Sequence, residues 1–131
     1  MTQIFKAAVV QAAPVLFDTP RTIDKVAELT GDAASQGAAL VVFPEAFVGG
    51  YPKGLDFGAR LGMRSPEGRE DFRRYYESAI DLPSTEAARL GEIARNNRVH
   101  LVIGIIERDG GTLYCTAVTY DPAGQLVSKH R

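Results

Sequence analysis

The sequence has little of the features that mark secreted, membrane or nucleic-acid-binding proteins. Its one cysteine cannot form an internal disulfide, and Lys6 interrupts the apolar start that a signal peptide would need, so we expect a reducing compartment, the cytoplasm. No stretch approaches the roughly 18 consecutive apolar residues of a membrane-spanning helix. The formal net charge of -1 offers no basic face to nucleic acid or an anionic membrane. We therefore expect one domain of 131 residues that acts on a small molecule.

The spacing of a metal site is also missing. The two histidines, His100 and His130, are far apart in the sequence and form no His-x-x-x-His pattern, so no metal site is predicted. His100 lies within an apolar run and is predicted to be a core residue. The chain shows neither internal repeats nor low-complexity segments.

The N-terminal part of the chain predicts a strand, a helix and a second strand. Residues 4–11 are the first strand. Thr19 is predicted to cap a helix that has Pro20 at its first position, and Gly37 is placed to end that helix in the left-handed conformation. The apolar residues 38–43 follow as the second strand. This order predicts a βαβ unit with two parallel strands.

The remainder of the chain predicts a long loop, two helices and a hairpin. Residues 48–64 are rich in glycine and aromatic residues, which favours a functional loop or a poorly formed helix. Helices are expected at residues 66–80, with an aromatic stripe that packs in the core or an interface, and after the capping residue Ser84. Glycines 110 and 111 join strands at 99–107 and 112–120 into an antiparallel hairpin, and residues 125–128 begin a last strand.

The most informative residue is Glu45, which follows the apolar run 38–43 and Pro44. A strand without polar residues is expected to be covered on both faces, and ligands of such sheets bind beyond the carboxyl ends of the strands. Pro44 holds Phe43 extended, so the carboxylate is mounted on stiff backbone. Glu45 is therefore a candidate catalytic acid or base. The alternative is a glutamate that caps a turn or pairs with a surface arginine.

Cys115 is the only thiol and so deserves comparison with a catalytic nucleophile, which needs a lowered pKa and an adjacent base. It lies in the middle of the strand predicted at 112–120, on one face with Leu113, Ala117 and Thr119. A free cysteine in that position is expected to be a buried small hydrophobe. We therefore predict a structural role for Cys115.

Several segments together resemble the N-terminal portion of a nitrilase, a member of the carbon-nitrogen hydrolase superfamily. They are Glu45 within Phe-Pro-Glu-Ala-Phe, residues 48–54 (Val-Gly-Gly-Tyr-Pro-Lys-Gly), 68–76, 113–116 (Leu-Tyr-Cys-Thr) and 129–131 (Lys-His-Arg). The Phe-Pro-Glu core alone would also suit amidases and carbamoylases, whereas the run 46–52 is more similar to true nitrilases.

The resemblance implies an α/β fold that is part of a four-layer α-β-β-α sandwich, and a Glu-Lys-Cys catalytic triad. Glu45 is the one member of that triad within residues 1–131. In the family the lysine directly follows the His-Arg pair, here His130 and Arg131, and the nucleophilic cysteine comes later. The chain is thus expected to be the N-terminal part of a single carbon-nitrogen hydrolase domain, truncated before the lysine and cysteine and inactive alone. His130 would brace that lysine.

The implied activity is hydrolysis of an organic nitrile to a carboxylic acid and ammonia, through a cysteine thioimidate and then a thioester, without cofactor or metal. Glu45 would be the general base, with its pKa raised by burial. Tyr51 would line the substrate pocket, where its ring covers an apolar group and its hydroxyl remains free to hydrogen-bond; the alternative is a loop anchor. A homo-oligomer, either a dimer or a spiral assembly, is implied. The competing hypotheses are an amidase or carbamoylase, and a non-catalytic fragment acting in assembly.

Overall fold

The computed structural model describes residues 2–58 and 64–131. In it the chain folds into a mixed five-stranded sheet with helices packed against it. The elements in chain order are β1 (Ala7–Val9), α1 (Thr19–Ser35), β2 (Leu40–Val42), α2 (Pro66–Ser78), α3 (Thr85–Asn97), β3 (His100–Asp109), β4 (Thr112–Tyr120) and β5 (Leu126–His130). The strands lie in the sheet in chain order, β1-β2-β3-β4-β5. The first three are parallel, and β4 and β5 are each antiparallel to the preceding strand. The α/β class predicted from the sequence is confirmed.

The predicted βαβ unit is present, with shorter strands than expected. Three residues of β1 pair with three of β2, and backbone hydrogen bonds of 2.8 Å from Ala39 to Lys6 and from Val10 to Val42 flank these pairs. The helix cap is Asp18, whose side chain accepts a hydrogen bond from the backbone of Arg21 at 3.0 Å, and not the predicted Thr19. Gly37 adopts the left-handed conformation as predicted, with φ 87°.

The C-terminal strands follow the hairpin prediction. The β3–β4 ladder runs without interruption from the pair Leu101–Tyr120 to the pair Asp109–Thr112. Gly110, with φ 58°, supplies the turn between them. Strand β5 pairs with β4 and carries a register irregularity opposite Thr119 and Tyr120.

One face of the sheet holds the core. Helices α1 and α3 pack against each other and against this face, which we call the helix face. Since side chains alternate along a strand and cross-strand partners share a face, Leu101, Ile103 and Ile105 of β3 point to the helices. Fully buried side chains from the other elements complete the core: Ile23, Val26, Val41, Leu90, Ala94 and Val118.

The opposite face, which we call the open face, carries Val9, Val102, Gly104 and Cys115. Val9 is 82% exposed, so the described residues leave part of this face uncovered. None of the helices in the described ranges has the length and apolar character to cross a membrane.

Helix α2 lies at the carboxyl end of β3. It begins at Pro66 after the cap Ser65 and ends at Ser78, before the predicted residue 80, because Ile80 forms a β-bridge with Glu107. The predicted aromatic stripe contacts Phe57, which stacks on Tyr75 with ring centroids 5.6 Å apart and meets Phe72 edge-on, but Phe72 is 44% exposed, so the stripe does not lie in the core. Residues 59–63 of the predicted loop lie outside the described residues.

Candidate active site

Glu45 lies in a tight turn that follows β2 and crosses the open face of β3. The backbone of Phe43 donates to Val102 at 2.8 Å, and the backbone of Val48 donates to Gly104 at 3.1 Å, so both ends of the turn are tied to β3. Ala46, between them, has φ 50°. The turn therefore holds Glu45 in place through backbone hydrogen bonds to a central strand.

Gly104 makes this close approach possible. A Cβ at this position would lie 2.5 Å from Cα of Glu45 and 2.6 Å from the carbonyl oxygen of Pro44, and it would also collide with the backbone nitrogen of Ala46. Real Cβ atoms do not come so close to backbone, and none of these atoms belongs to a movable side chain. The glycine in the middle of β3 therefore allows the catalytic candidate to lie directly on the sheet.

Three side chains meet at one carboxylate oxygen. The hydroxyl of Tyr51 donates to Oε1 of Glu45 at 2.7 Å, and the thiol of Cys115 donates to the same oxygen at 3.1 Å. The hydroxyl and the sulfur are 3.4 Å apart. Within the described parts of the chain Oε2 has no hydrogen-bond partner. Glu45 thus presents one oxygen that is held and one that can accept a proton.

The pKa values of all three side chains are shifted, those of Glu45 and Tyr51 mainly by hydrogen bonds and that of Cys115 mainly by desolvation. Donation from Tyr51, and then from Cys115, lowers the pKa of Glu45 below its ordinary value. The hydrogen bonds with Cys115 and then with Glu45 raise the pKa of Tyr51. Partial desolvation, followed by the neighbouring carboxylate, raises the pKa of the Cys115 thiol and outweighs the opposite effect of Tyr51. At neutral pH the site therefore holds a carboxylate between a neutral phenol and a neutral thiol.

Three expectations about burial are wrong. Glu45 is exposed and its pKa is lowered, whereas a shielded carboxylate with a raised pKa was expected. Cys115 is exposed and hydrogen-bonded to Glu45, not buried among hydrophobic residues. His100 is exposed at the start of β3 instead of lying in the core. The first two errors have one physical cause, because both side chains belong to the open face and no described layer covers them there.

A cavity of about 470 Å³ is lined by Tyr51, the residue whose hydroxyl donates to Glu45; Glu45 itself is not among its lining residues. Tyr51, Leu55, Phe57 and Tyr75 are among its lining residues, so its wall is largely aromatic and apolar. This volume lies in the range of small-molecule sites. Tyr51 lines this cavity and donates to Glu45, so the structure places it between the two; a role in substrate binding stays a prediction.

Sequence reasoning missed two members of the site, Cys115 and Gly104. Cys115 was assigned to the interior, although the turn at Gly110 and Gly111 sets it opposite Ile106, two residues beyond Gly104. A glycine within an apolar strand is itself a signal of close backbone approach, and following that register would have brought Glu45 and Cys115 together.

No group of three or more metal-ligating side chains occurs in ranges 2–58 and 64–131.

The fold is shared with amidases of known structure. An amidase from Nesterenkonia sp. superposes with a TM-score of 0.68 at 22% identity, over 97% of this chain and 42% of the amidase. A C145A mutant of the Nesterenkonia AN1 amidase, described as a member of the nitrilase superfamily, gives 0.66 at 22% identity, again over 97% and 42%. This chain therefore shares its fold with the matched part of these amidases.

Residues 6–131 match the carbon-nitrogen hydrolase family model, and the chain belongs to that family. It is 52% identical over 130 residues to a bifunctional nitrilase/nitrile hydratase of Nicotiana tabacum, covering 99% of this chain and 37% of the relative. It is 52% identical over 126 residues to nitrilase 3 of Arabidopsis thaliana, with 96% and 36% covered. An aliphatic nitrilase of Sinorhizobium fredii is 53% identical over 127 residues, with 97% and 41% covered. The chain thus spans well under half the length of these relatives.

Proposed function

We propose that this chain is part of a nitrilase that hydrolyses organic nitriles to carboxylic acids and ammonia, with Glu45 as its general base. The observation that carries the proposal is the pair of hydrogen bonds from Tyr51 and Cys115 to one oxygen of Glu45, in which Tyr51 also lines a cavity of about 470 Å³. Relatives named as nitrilases, 52% identical over nearly the whole chain, support nitriles as the substrate class.

A general base must be ionised at working pH and must present a free oxygen to the proton it accepts. The lowered pKa keeps Glu45 ionised at neutral pH. Oε1 is occupied by Tyr51 and Cys115, which leaves Oε2 to accept the proton. The two donors also restrict rotation of the carboxylate, so the accepting oxygen stays aimed in one direction.

The proposed reaction uses a nucleophilic thiol and a lysine that the family resemblance places beyond Arg131. Glu45 takes the thiol proton, the thiolate attacks the nitrile carbon, and the nitrogen gains a proton to give a thioimidate. Addition of one water and loss of ammonia give a thioester, and a second water releases the carboxylic acid and regenerates the thiol. One nitrile and two waters thus yield one acid and one ammonia, without redox change.

Cys115 is not the nucleophile in this proposal. Its thiol donates to Glu45, and the pKa of that thiol is raised, whereas a nucleophilic cysteine needs a lowered one. Tyr51 is proposed to line the substrate cavity and to hold Glu45. The proposal invokes no cofactor. It includes assembly of the full-length protein into a homo-oligomer, either a dimer or a spiral, and a location in the cytoplasm.

The test is product analysis with the full-length protein. Aliphatic and aromatic nitriles and their corresponding amides are supplied in parallel, and ammonia, acid and amide are quantified. We expect ammonia and acid from at least one nitrile. Ammonia from amides or carbamoyl compounds alone would replace the proposal by an amidase or a carbamoylase, and amide as the sole product would indicate a nitrile hydratase. A pure, folded, full-length protein that is inert to all of them would support a non-catalytic role in assembly.

A further inference from the structure

Glu107 is a buried carboxylate that the proposed chemistry does not use. It lies near the end of β3 on the helix face, opposite to the face that carries Glu45, and it is 2% exposed. Oε1 accepts from Lys129 at 2.8 Å and from Arg131 at 2.9 Å, and Oε2 accepts from Thr116 at 2.7 Å and from Arg131 at 3.0 Å. Each carboxylate oxygen of Glu107 therefore accepts two hydrogen bonds, and Arg131 binds both oxygens through two of its nitrogens.

Strand β5 has little else to define its register. All five of its residues are exposed, it lies at the edge of the sheet, and its ladder with β4 contains an irregularity. Strands without a buried side are prone to slip. Lys129 and Arg131 are two positions apart, so they point to the same face and both reach Glu107. A slip of one residue would turn both away and leave the buried carboxylate unpaired, which is costly.

The register of β5 against β4 determines which residues of β5 lie on the open face. Strand β5 pairs Ser128 with Thr119, Lys129 with Val118 and His130 with Ala117. In a chain that continues past Arg131, the same ladder brings the next residue opposite Cys115, on the open face. The thiol of Cys115 is 3.1 Å from Oε1 of Glu45. The side chain that follows Arg131 would therefore stand next to the candidate general base.

We propose that Glu107 is a positioning residue: by binding Lys129 and Arg131 on the helix face, it sets the register of β5 that delivers the following side chain to Glu45 on the open face. Glu107 touches neither Glu45 nor the cavity beside it, so it acts through β5 alone. The catalytic consequence rests on the proposed function, whereas the effect on register does not.

Disulfide trapping in the full-length protein measures the register directly. The pair Thr119→Cys and Ser128→Cys reports the observed register, and the pair Thr119→Cys and Val127→Cys reports the slip of one residue that would continue the Tyr120–Leu126 pairing without its irregularity. Directly opposed strand positions have Cα separations that a disulfide can bridge. Cys115→Ser is included throughout, and the cross-linked peptides are identified by mass spectrometry.

We expect the native cross-link to dominate with Glu107 intact, and its ratio to the slipped cross-link to fall by at least about tenfold in Glu107→Gln. An unchanged ratio in a folded Glu107→Gln protein would overturn the inference. If that variant does not fold, Arg131→Gln leaves Lys129 and Thr116 on Glu107 and should lower the ratio in the same direction, by less. An unchanged ratio there would overturn the inference equally.

Steady-state kinetics on a nitrile substrate give the second readout, in proteins that retain Cys115. Glu107→Gln should lower kcat by about tenfold or more while KM changes by less than about threefold. The reason is that Glu45 and the side chain after Arg131 would be misaligned, whereas the cavity lined by Tyr51 would be intact. The control is Asp24→Asn, which removes the exposed partner of Arg89 and none of the contacts of Glu107, and it should change neither readout. Absence of nitrile turnover in the parent would defeat the proposed function, and the trapping ratio would still decide the role of Glu107.

Discussion

The hydroxyl of Tyr51 donates a 2.7 Å hydrogen bond to Oε1 of Glu45, six residues earlier in the chain. The segment between them contains Gly49 and Gly50, both with positive φ, which turn the chain back toward the carboxylate. A Cβ on Gly49 would overlap Ile106, so this segment packs as closely on β3 as the turn at Gly104 does. One continuous stretch of chain therefore supplies both the candidate base and the residue that holds it.

Glu45→Gln in the full-length protein tests the base itself. The amide retains an acceptor for Tyr51 but cannot take up a proton, so we expect turnover of a nitrile to fall by at least about 100-fold. The melting temperature should change by less than about 2 °C, because Glu45 is exposed. The matched control is Glu92→Gln, an exposed glutamate on α3, which should retain full activity. Residual activity above about one hundredth of the parent would count against a catalytic role for Glu45.

Tyr51→Phe should move the acid limb of the pH profile. The hydrogen bond from Tyr51 is the largest cause of the lowered pKa of Glu45, so its removal raises that pKa. The base then becomes protonated at a higher pH, and the acid limb of kcat/KM shifts upward. Cys115→Ala should shift it in the same direction by a smaller amount, since the thiol is the second cause. A limb that stays in place in Tyr51→Phe, or moves to lower pH, would show that Glu45 is not the titrating group.

Local signals in the sequence were sufficient to predict most elements of the fold. Ser84 accepts from the backbone of Ala87 at 3.1 Å as a helix cap should, and Gly110 turns the β3–β4 hairpin. These features depend on a few adjacent residues, so a single sequence contains them. Glu45 was located by the same kind of local evidence, an apolar strand followed by Pro44.

Which residues meet at the site could not be predicted from neighbouring positions in the sequence alone. Cys115 reaches Glu45 only through the register of β3 with β4 and the passage of the turn over Gly104. The exposure of Glu45 and Cys115 depends on whether another layer covers the open face, which an apolar run cannot reveal. The sequence pattern correctly predicted strands, but it could not assign a side to each strand residue.

Gly104→Ala tests the close approach of the turn to β3. The new methyl group would meet the backbone of Pro44, Glu45 and Ala46, and none of these atoms can move without breaking the turn. We expect the free energy of unfolding to fall by about 1–3 kcal/mol, measured by urea denaturation, and nitrile turnover to fall with it. The control is Gly111→Ala, since nothing lies within 4 Å of its added methyl group. Equal stability of the two variants would contradict the packing described for Gly104.

The stability of the protein should depend on pH through Glu107. Hydrogen bonds from Arg131, then Lys129 and Thr116, outweigh burial and lower the pKa of Glu107 from 4.5 to about 2. Because the native pKa lies below the unfolded one, the stabilisation is complete above the unfolded value and is lost as the pH falls from there toward the native value. The lowered pKa of Glu107 corresponds to at most roughly 3 kcal/mol in the free energy of unfolding.

Urea denaturation of the parent and of Glu107→Gln between pH 7 and pH 3 measures this dependence. The variant should be less stable at neutral pH, and the difference from the parent should shrink steadily as the pH falls below the unfolded pKa, because protonation removes from the parent the charge that the variant already lacks. Glu92→Gln, whose side chain is exposed, serves as the control and should run parallel to the parent. A constant difference between the parent and Glu107→Gln over the acid range would mean that the ion pairs with Lys129 and Arg131 do not stabilise the charged form of Glu107.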